Sequence, residues 1–145
     1  MRSRIAGTVV VTLIVGACGS GGGNGGAIAS PSSTPSPAAE RPSSPADLSI
    51  VQPKTGRVVE GSTVLLQVSL EGAKLVPQTT TDISPDEGHL HVLLDDQLIS
   101  MTEGLEQEIA DVAPGTHRIT VEFVASDHVP FDPRVVSVVA FEVRP

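Results

Sequence analysis

Tryptophan and tyrosine are absent from this 145-residue chain, and Phe123, Phe131 and Phe141 are its only aromatic residues. Basic residues are scarce too, nine Lys and Arg against seventeen Asp and Glu, which leaves a formal net charge of −8. Nucleic-acid binding is excluded on both grounds, because phosphate affinity needs clustered cations and single-strand binding needs aromatic platforms. A single Cys rules out an intramolecular disulfide, a thiolate zinc site and a C-x-x-C redox pair. Fourteen Gly and twelve Pro argue against a helical bundle. No apolar run approaches the roughly 20 residues that a helix needs to cross a bilayer.

Arg2 and Arg4 precede an apolar stretch from Ile5 to Val15, which small Gly16 and Ala17 and then Cys18 follow. Basic start, short apolar centre and small residues make residues 1–17 a secretory signal. Val15-Gly16-Ala17-Cys18 resembles the bacterial lipobox. That resemblance to bacterial lipoproteins implies that cleavage leaves Cys18 first and that its sulfur carries a diacylglycerol. The expected location is therefore extracytoplasmic, with the lipid on Cys18 anchoring the protein to the bacterial cell membrane. Lipid on the thiol also removes it as a nucleophile or metal ligand.

Residues 18–46 form a lipidated Cys and linker. From Gly19 to Ala46, 28 residues include six Gly, seven Ser and five Pro, with Ile28 the only large apolar side chain. Such a composition builds no core and predicts a disordered linker. It spans roughly 30 Å as a coil and about 90 Å stretched.

The remaining residues, 47–145, hold all four His and carry six basic against sixteen acidic residues, a net of −10. Alternation with period two dominates: Val64, Leu66, Val68 and Leu70 share one face, as do Leu90, Val92 and Leu94, and Ile119, Val121 and Phe123. Short strands are also predicted over Leu48–Gln52 and Arg57–Glu60, split by the Pro53–Gly56 turn, over Gln97–Met101 after an Asp95-Asp96 turn, and over Val135–Val143. Leu105–Ala110 is ambiguous, since Leu105, Ile109 and Val112 also fit a helix face. Seven to eight short strands with frequent turns predict an all-β fold, an immunoglobulin-like antiparallel β-sandwich.

Several motifs carry a resemblance. Pro53-x-x-Gly56, Gly88-His89-Leu90-His91, Pro114-Gly115-x-His117 and Asp127-His128-x-Pro130 with Asp132-Pro133 together resemble an uncharacterised bacterial envelope family known only as a domain of unknown function. The resemblance covers roughly Ile50 to Val143 and implies fold and compartment, not activity. A fainter similarity, from Pro114-Gly115-Thr116-His117 through Ser126-Asp127-His128 to the last strand, is to the periplasmic CopC-like copper-resistance proteins. Their sites use a His at the mature N-terminus, where this chain has Cys18.

His89 and His91, at i and i+2 on one strand, share the face opposite Leu90 and Val92 and so point away from the core. In an immunoglobulin-like order this strand is C and pairs antiparallel with strand F, which carries Ile119, Val121 and Phe123, so the start of C lies beside the end of F. His128 sits just past that end, in the F–G loop. Topology thus brings His89, His91 and His128 to one pole, with Asp127, Asp132 and Asp86 as candidate oxygen ligands or supporting groups. Three imidazoles with a carboxylate or water suit Cu(II) or Zn(II). A purely structural polar network, or no shared role, remain alternatives. His117 falls at the opposite pole in phase with Ile119 and Val121, and is predicted to be a buried imidazole holding a loop carbonyl, as the tyrosine corner does.

An enzyme is not expected. There is no G-x-S-x-G elbow and no glycine-rich phosphate loop between strand and helix. Asp95-Asp96 favours a turn for backbone reasons, Glu103, Glu106 and Glu108 read as a solvated face, and a copper-zinc superoxide dismutase would need more His ligands. Two classes remain: a metal-binding module with copper or zinc as its only cofactor, and a module holding an envelope protein or a glycan with its histidines purely structural.

Overall fold

The computed structural model describes residues 40–77 and 82–145. The signal segment, Cys18 and most of the linker lie outside the described residues. Nine strands and no helix are found among those described: β1 (Asp47–Gln52), β2 (Val58–Glu60), β3 (Val64–Glu71), β4 (Lys74–Leu75), β5 (Glu87–Leu94), β6 (Gln97–Thr102), β7 (Glu106–Ile109), β8 (Gly115–Val124) and β9 (Pro130–Arg144). One sheet has the order β1-β3-β7; the other runs β2-β9-β8-β5, with β4 and β6 both pairing β5. This is the strand arrangement of an immunoglobulin-like β-sandwich.

The alternating residues build the core. Val64, Leu66, Val68, Leu90, Val92, Ile119, Val121 and Phe123 are all buried, and Leu70 and Leu94 pack against them. Phe123 stacks on Phe131 at a centroid separation of 5.3 Å. The Pro53–Gly56 turn moves the chain from one sheet to the other: β1 pairs β3, while β2 pairs β9. Asp95 and Asp96 both have left-handed φ, 49° and 68°, as a two-residue hairpin turn between β5 and β6 requires.

Within Leu105–Ala110, residues Glu106–Ile109 form a strand, β7, and no helix. Glu106 and Glu108 face solvent, Gln107 is half-buried and Ile109 buried, while Leu105 is exposed, so alternation wins over the helical spacing. The sandwich is not wholly antiparallel: β2 runs parallel to β9 and β4 parallel to β5. For β2 the cause is the sheet change, which delivers the chain beside β9 without reversing it. The last strand lies inside its sheet, between β2 and β8.

Packing begins upstream of β1. Arg41 bonds the β8–β9 hairpin, the Pro42 carbonyl accepts from the Asp132 N–H at 3.1 Å, and Ala46 packs against the core.

Candidate metal centre

The site starts from one glycine. A Cβ at Gly88 would collide with the Val124 carbonyl and the Phe123 ring, so only glycine lets the start of β5 lie this close to the end of β8. His89 is consequently in register with Val124, and His91 with Glu122. Beyond Val124 the chain turns through Ala125–Val129, with the His128 N–H donating to the Ala125 carbonyl at 2.9 Å and His128 itself at φ +64°. An Asn, Asp or His tolerates that backbone far better than a branched residue does. The turn folds His128 back against the outer face of β5.

Three imidazoles converge there. His89 Nε2 lies 3.1 Å from His91 Nε2 and 3.2 Å from His128 Nδ1. Ring centroids are 4.7 to 5.8 Å apart. One nitrogen from each ring falls within a 4.8 Å cluster, and among the described residues no other side chain joins this group. The topology argument from sequence thus holds for all three. The expectation that both strand histidines stand clear of the protein holds only in part: His89 is fully buried, His91 half-buried and His128 exposed. The two neighbouring rings close over His89, which alternation along a single strand does not reveal.

Burial acts on protonation. Desolvation, with the positive fields of His91 and His128 behind it, pushes the His89 imidazolium down to about 4. His91 is also lowered, by burial first and His128 second, against an opposing pull from Glu122. Both are therefore neutral at pH 7 and present lone pairs, the form a metal needs. His89 Nδ1 is buried with no hydrogen-bond partner, as is the Ser126 hydroxyl in the adjoining loop. A buried, unpaired polar atom of this kind costs about 1–3 kcal/mol.

The acidic neighbours have other occupations. Asp127, an oxygen ligand on the sequence reading, accepts from Arg41 Nη1 at 2.7 Å and Nη2 at 3.0 Å, and from the Val129 N–H at 3.1 Å. The Arg41 guanidinium holds its carboxyl below the usual range. Asp86 accepts from the Ser84 hydroxyl, and Asp132 is exposed in β9; neither joins the imidazoles. Glu122, beside His91, is buried and doubly bonded to Arg134 at 2.6 Å. Arg41 is the neighbour of the cluster that the sequence reading missed, and its only signal was charge: with Glu40 it is one of two charged residues in the linker.

His117 takes the loop-holding role at the other pole. Its Nε2–H donates to the Ala113 carbonyl and its Nδ1–H to Asp95 Oδ2, each at 2.7 Å. It is half-buried, because Asp95 draws the ring toward the surface of the β5–β6 turn. The Asp95 bond raises its pKa, with a smaller contribution from Ala113. The Asp pair thus does more than turn the chain: Asp95 also accepts from the Arg118 N–H, and Asp96 pairs with the Arg118 guanidinium.

Residues 8–144 match the family of unknown function DUF6130, and the chain belongs to it. No curated protein matches the chain. Among solved structures, it is similar to a fibronectin(III)-like module of Clostridium thermocellum CbhA, at 17% identity over 67% of this chain and 95% of that one, with a TM-score of 0.47. The PKD domain of human KIAA0319 is 15% identical over 81% and 92% of the two chains, at a TM-score of 0.45. An endo-beta-1,4-mannanase from Thermotoga petrophila is 15% identical over 68% of this chain but only 20% of its own length, at a TM-score of 0.43.

Proposed function

For this member of the family, we propose a non-catalytic binding module that holds one Cu(II) or Zn(II) ion on His89, His91 and His128. The convergence of three ring nitrogens, at 3.1 and 3.2 Å from the central one, is the observation that carries this reading. Two nitrogens bound at about 2.0–2.1 Å to a tetrahedral ion stand roughly 3.3 Å apart. Two of the three nitrogen–nitrogen spacings already come close to that value, and all three nitrogens lie within 4.8 Å of one another. Without one, His89 Nε2 faces two imidazoles and carries at most one proton, so it cannot serve both partners as donor.

Three imidazole nitrogens and no thiolate suit Cu(II) and Zn(II) alike. Arg41 and Arg134 occupy the nearby carboxylates of Asp127 and Glu122, which leaves the fourth position to water or an exogenous ligand. The ligands come from β5 and the loop after β8, so the reading does not depend on the CopC-like similarity. Lipid on Cys18 would anchor the module to the outside of a bacterial cell membrane, the compartment implied by the lipobox resemblance.

Leu98, Ile99 and Met101 on β6, each more than 40% exposed, favour a second reading. An apolar strand of this kind suits a module that holds an envelope protein or glycan, with the His cluster as packing. Metal titration separates the two. Replacing His89, His91 or His128 by Ala should each weaken Cu(II) or Zn(II) binding by tenfold or more, about 1.4 kcal/mol per decade, while His117→Ala should spare it. A wild-type chain that binds neither ion more tightly than about 100 μM, roughly −5.5 kcal/mol, would leave the second reading in place.

A further inference from the structure

The segment just before β1 is bound to the same hairpin that supplies the third imidazole. Arg41 Nη1 and Nη2 clasp the Asp127 carboxylate, Nη2 also donates to the Val129 carbonyl at 2.8 Å, and Nε donates to the Pro130 carbonyl at 3.1 Å. Asp127 precedes His128, and Val129 and Pro130 follow it. Every contact of this one guanidinium is therefore with a residue flanking the ligand and none is with the ligand itself. The Asp132 N–H donates to the Pro42 carbonyl, which fixes the strap a second time on β9.

The loop needs such a brace. His128 is exposed and sits in left-handed backbone, which costs free energy for any residue with a Cβ. Its own N–H is satisfied by Ala125, and the Ala125 N–H reaches the Val129 carbonyl only at 3.3 Å. His89 and His91, by contrast, are held by the β5 ladder and need no support of this kind. A planar fork that bonds a carboxylate at two points and two carbonyls besides is a bond set Lys cannot reproduce.

We propose that Arg41 is a positioning residue for the metal centre: it clamps the loop on both sides of His128 so that Nδ1 faces His89 Nε2, and thereby couples the strap to the ion. The inference rests on the metal-binding reading above. Binding and docking favour the same loop conformation, so each strengthens the other by the same factor. A metal ion on His128 slows release of the strap, and a docked strap raises metal affinity.

The test uses the full chain in detergent, Cu(II) as probe, and wild-type, Arg41→Ala and His91→Ala proteins, at a temperature where circular dichroism shows all three folded. Arg41→Ala should lose tenfold or more in Cu(II) affinity, and its electron paramagnetic resonance spectrum should report altered nitrogen coordination. In the wild type, Cu(II) should slow amide exchange at Asp132, whose N–H holds Pro42; in Arg41→Ala it should not. Wild-type affinity and spectrum in Arg41→Ala, with binding lost in His91→Ala, would overturn the clamp and leave the metal site standing. A wild-type chain that takes up no Cu(II) would overturn both. A variant that merely loses stability would keep the wild-type spectrum below its melting point, which also counts against the clamp.

Discussion

His117 shows how one side chain can stand in for another of different chemistry. A tyrosine at this corner offers a single hydroxyl, whereas a protonated imidazole offers two N–H groups, and here both are used, one on the Ala113 carbonyl and one on Asp95. Position in the strand pattern predicts the carbonyl bond, because it follows from the turn that enters β8. The Asp95 bond is not legible in the same way, since it depends on where the β5–β6 hairpin places a residue 22 positions away. His117→Ala strands the Ala113 carbonyl and removes the partner of Asp95. Because both bonds are solvent-exposed, it should lower stability by only about 1 kcal/mol, read as a lower denaturant midpoint, with Cu(II) affinity unchanged. An unchanged midpoint would show that water replaces both bonds at no cost.

Strands differ in how openly their sequences declare them. β3, β5 and β8 are legible because each alternates over a face that is buried against the opposite sheet. β7 is ambiguous in isolation, since three apolar residues fit two periodicities, and pairing with the edge of β3 settles it. The two-residue β4 carries no local signal at all; it exists because the Lys74 and Val76 N–H groups find the Asp86 and Gly88 carbonyls. The strap is hidden for a related reason: in a segment rich in Ser and Pro, a lone arginine acquires meaning only once Asp127 is opposite it.

Gly88 belongs to this scale as well. Its missing side chain sets the distance between β5 and the end of β8, and hence between His89 and His128. Gly88→Ala should cost about 1–3 kcal/mol by overpacking and, on the proposed metal-binding reading, should weaken metal binding too, because the displaced strand carries two of the three proposed ligands. Thermal unfolding and Cu(II) titration of the same sample check both effects. Loss of stability with full retention of affinity would mean that the hairpin follows β5 and that the register is not what spaces the imidazoles.

Across the whole molecule, the two poles titrate in opposite senses. His89 is pushed down to about 4 when folded, against about 6.5 in an unfolded chain. Between those values the unfolded state holds more protons, so metal-free stability must fall as pH drops from about 6.5 toward 4. His91, also lowered, adds to that limb. Below it, Asp95 and Asp127, both held under the usual carboxylate range by their partners, lose their contribution as they protonate. His117 is raised, so its contribution is complete below the unfolded value of about 6.5 and disappears as pH rises through its folded pKa. Denaturant unfolding of the metal-free chain from pH 4.5 to 8.5 should therefore trace a dome with its top near neutrality. His117→Ala should flatten the alkaline side alone, and His89→Leu the acid side alone. Wild-type stability that climbs steadily to pH 8.5, or a His117→Ala profile that keeps the full alkaline decline, would mean that the Asp95 bond does not hold the imidazolium in solution.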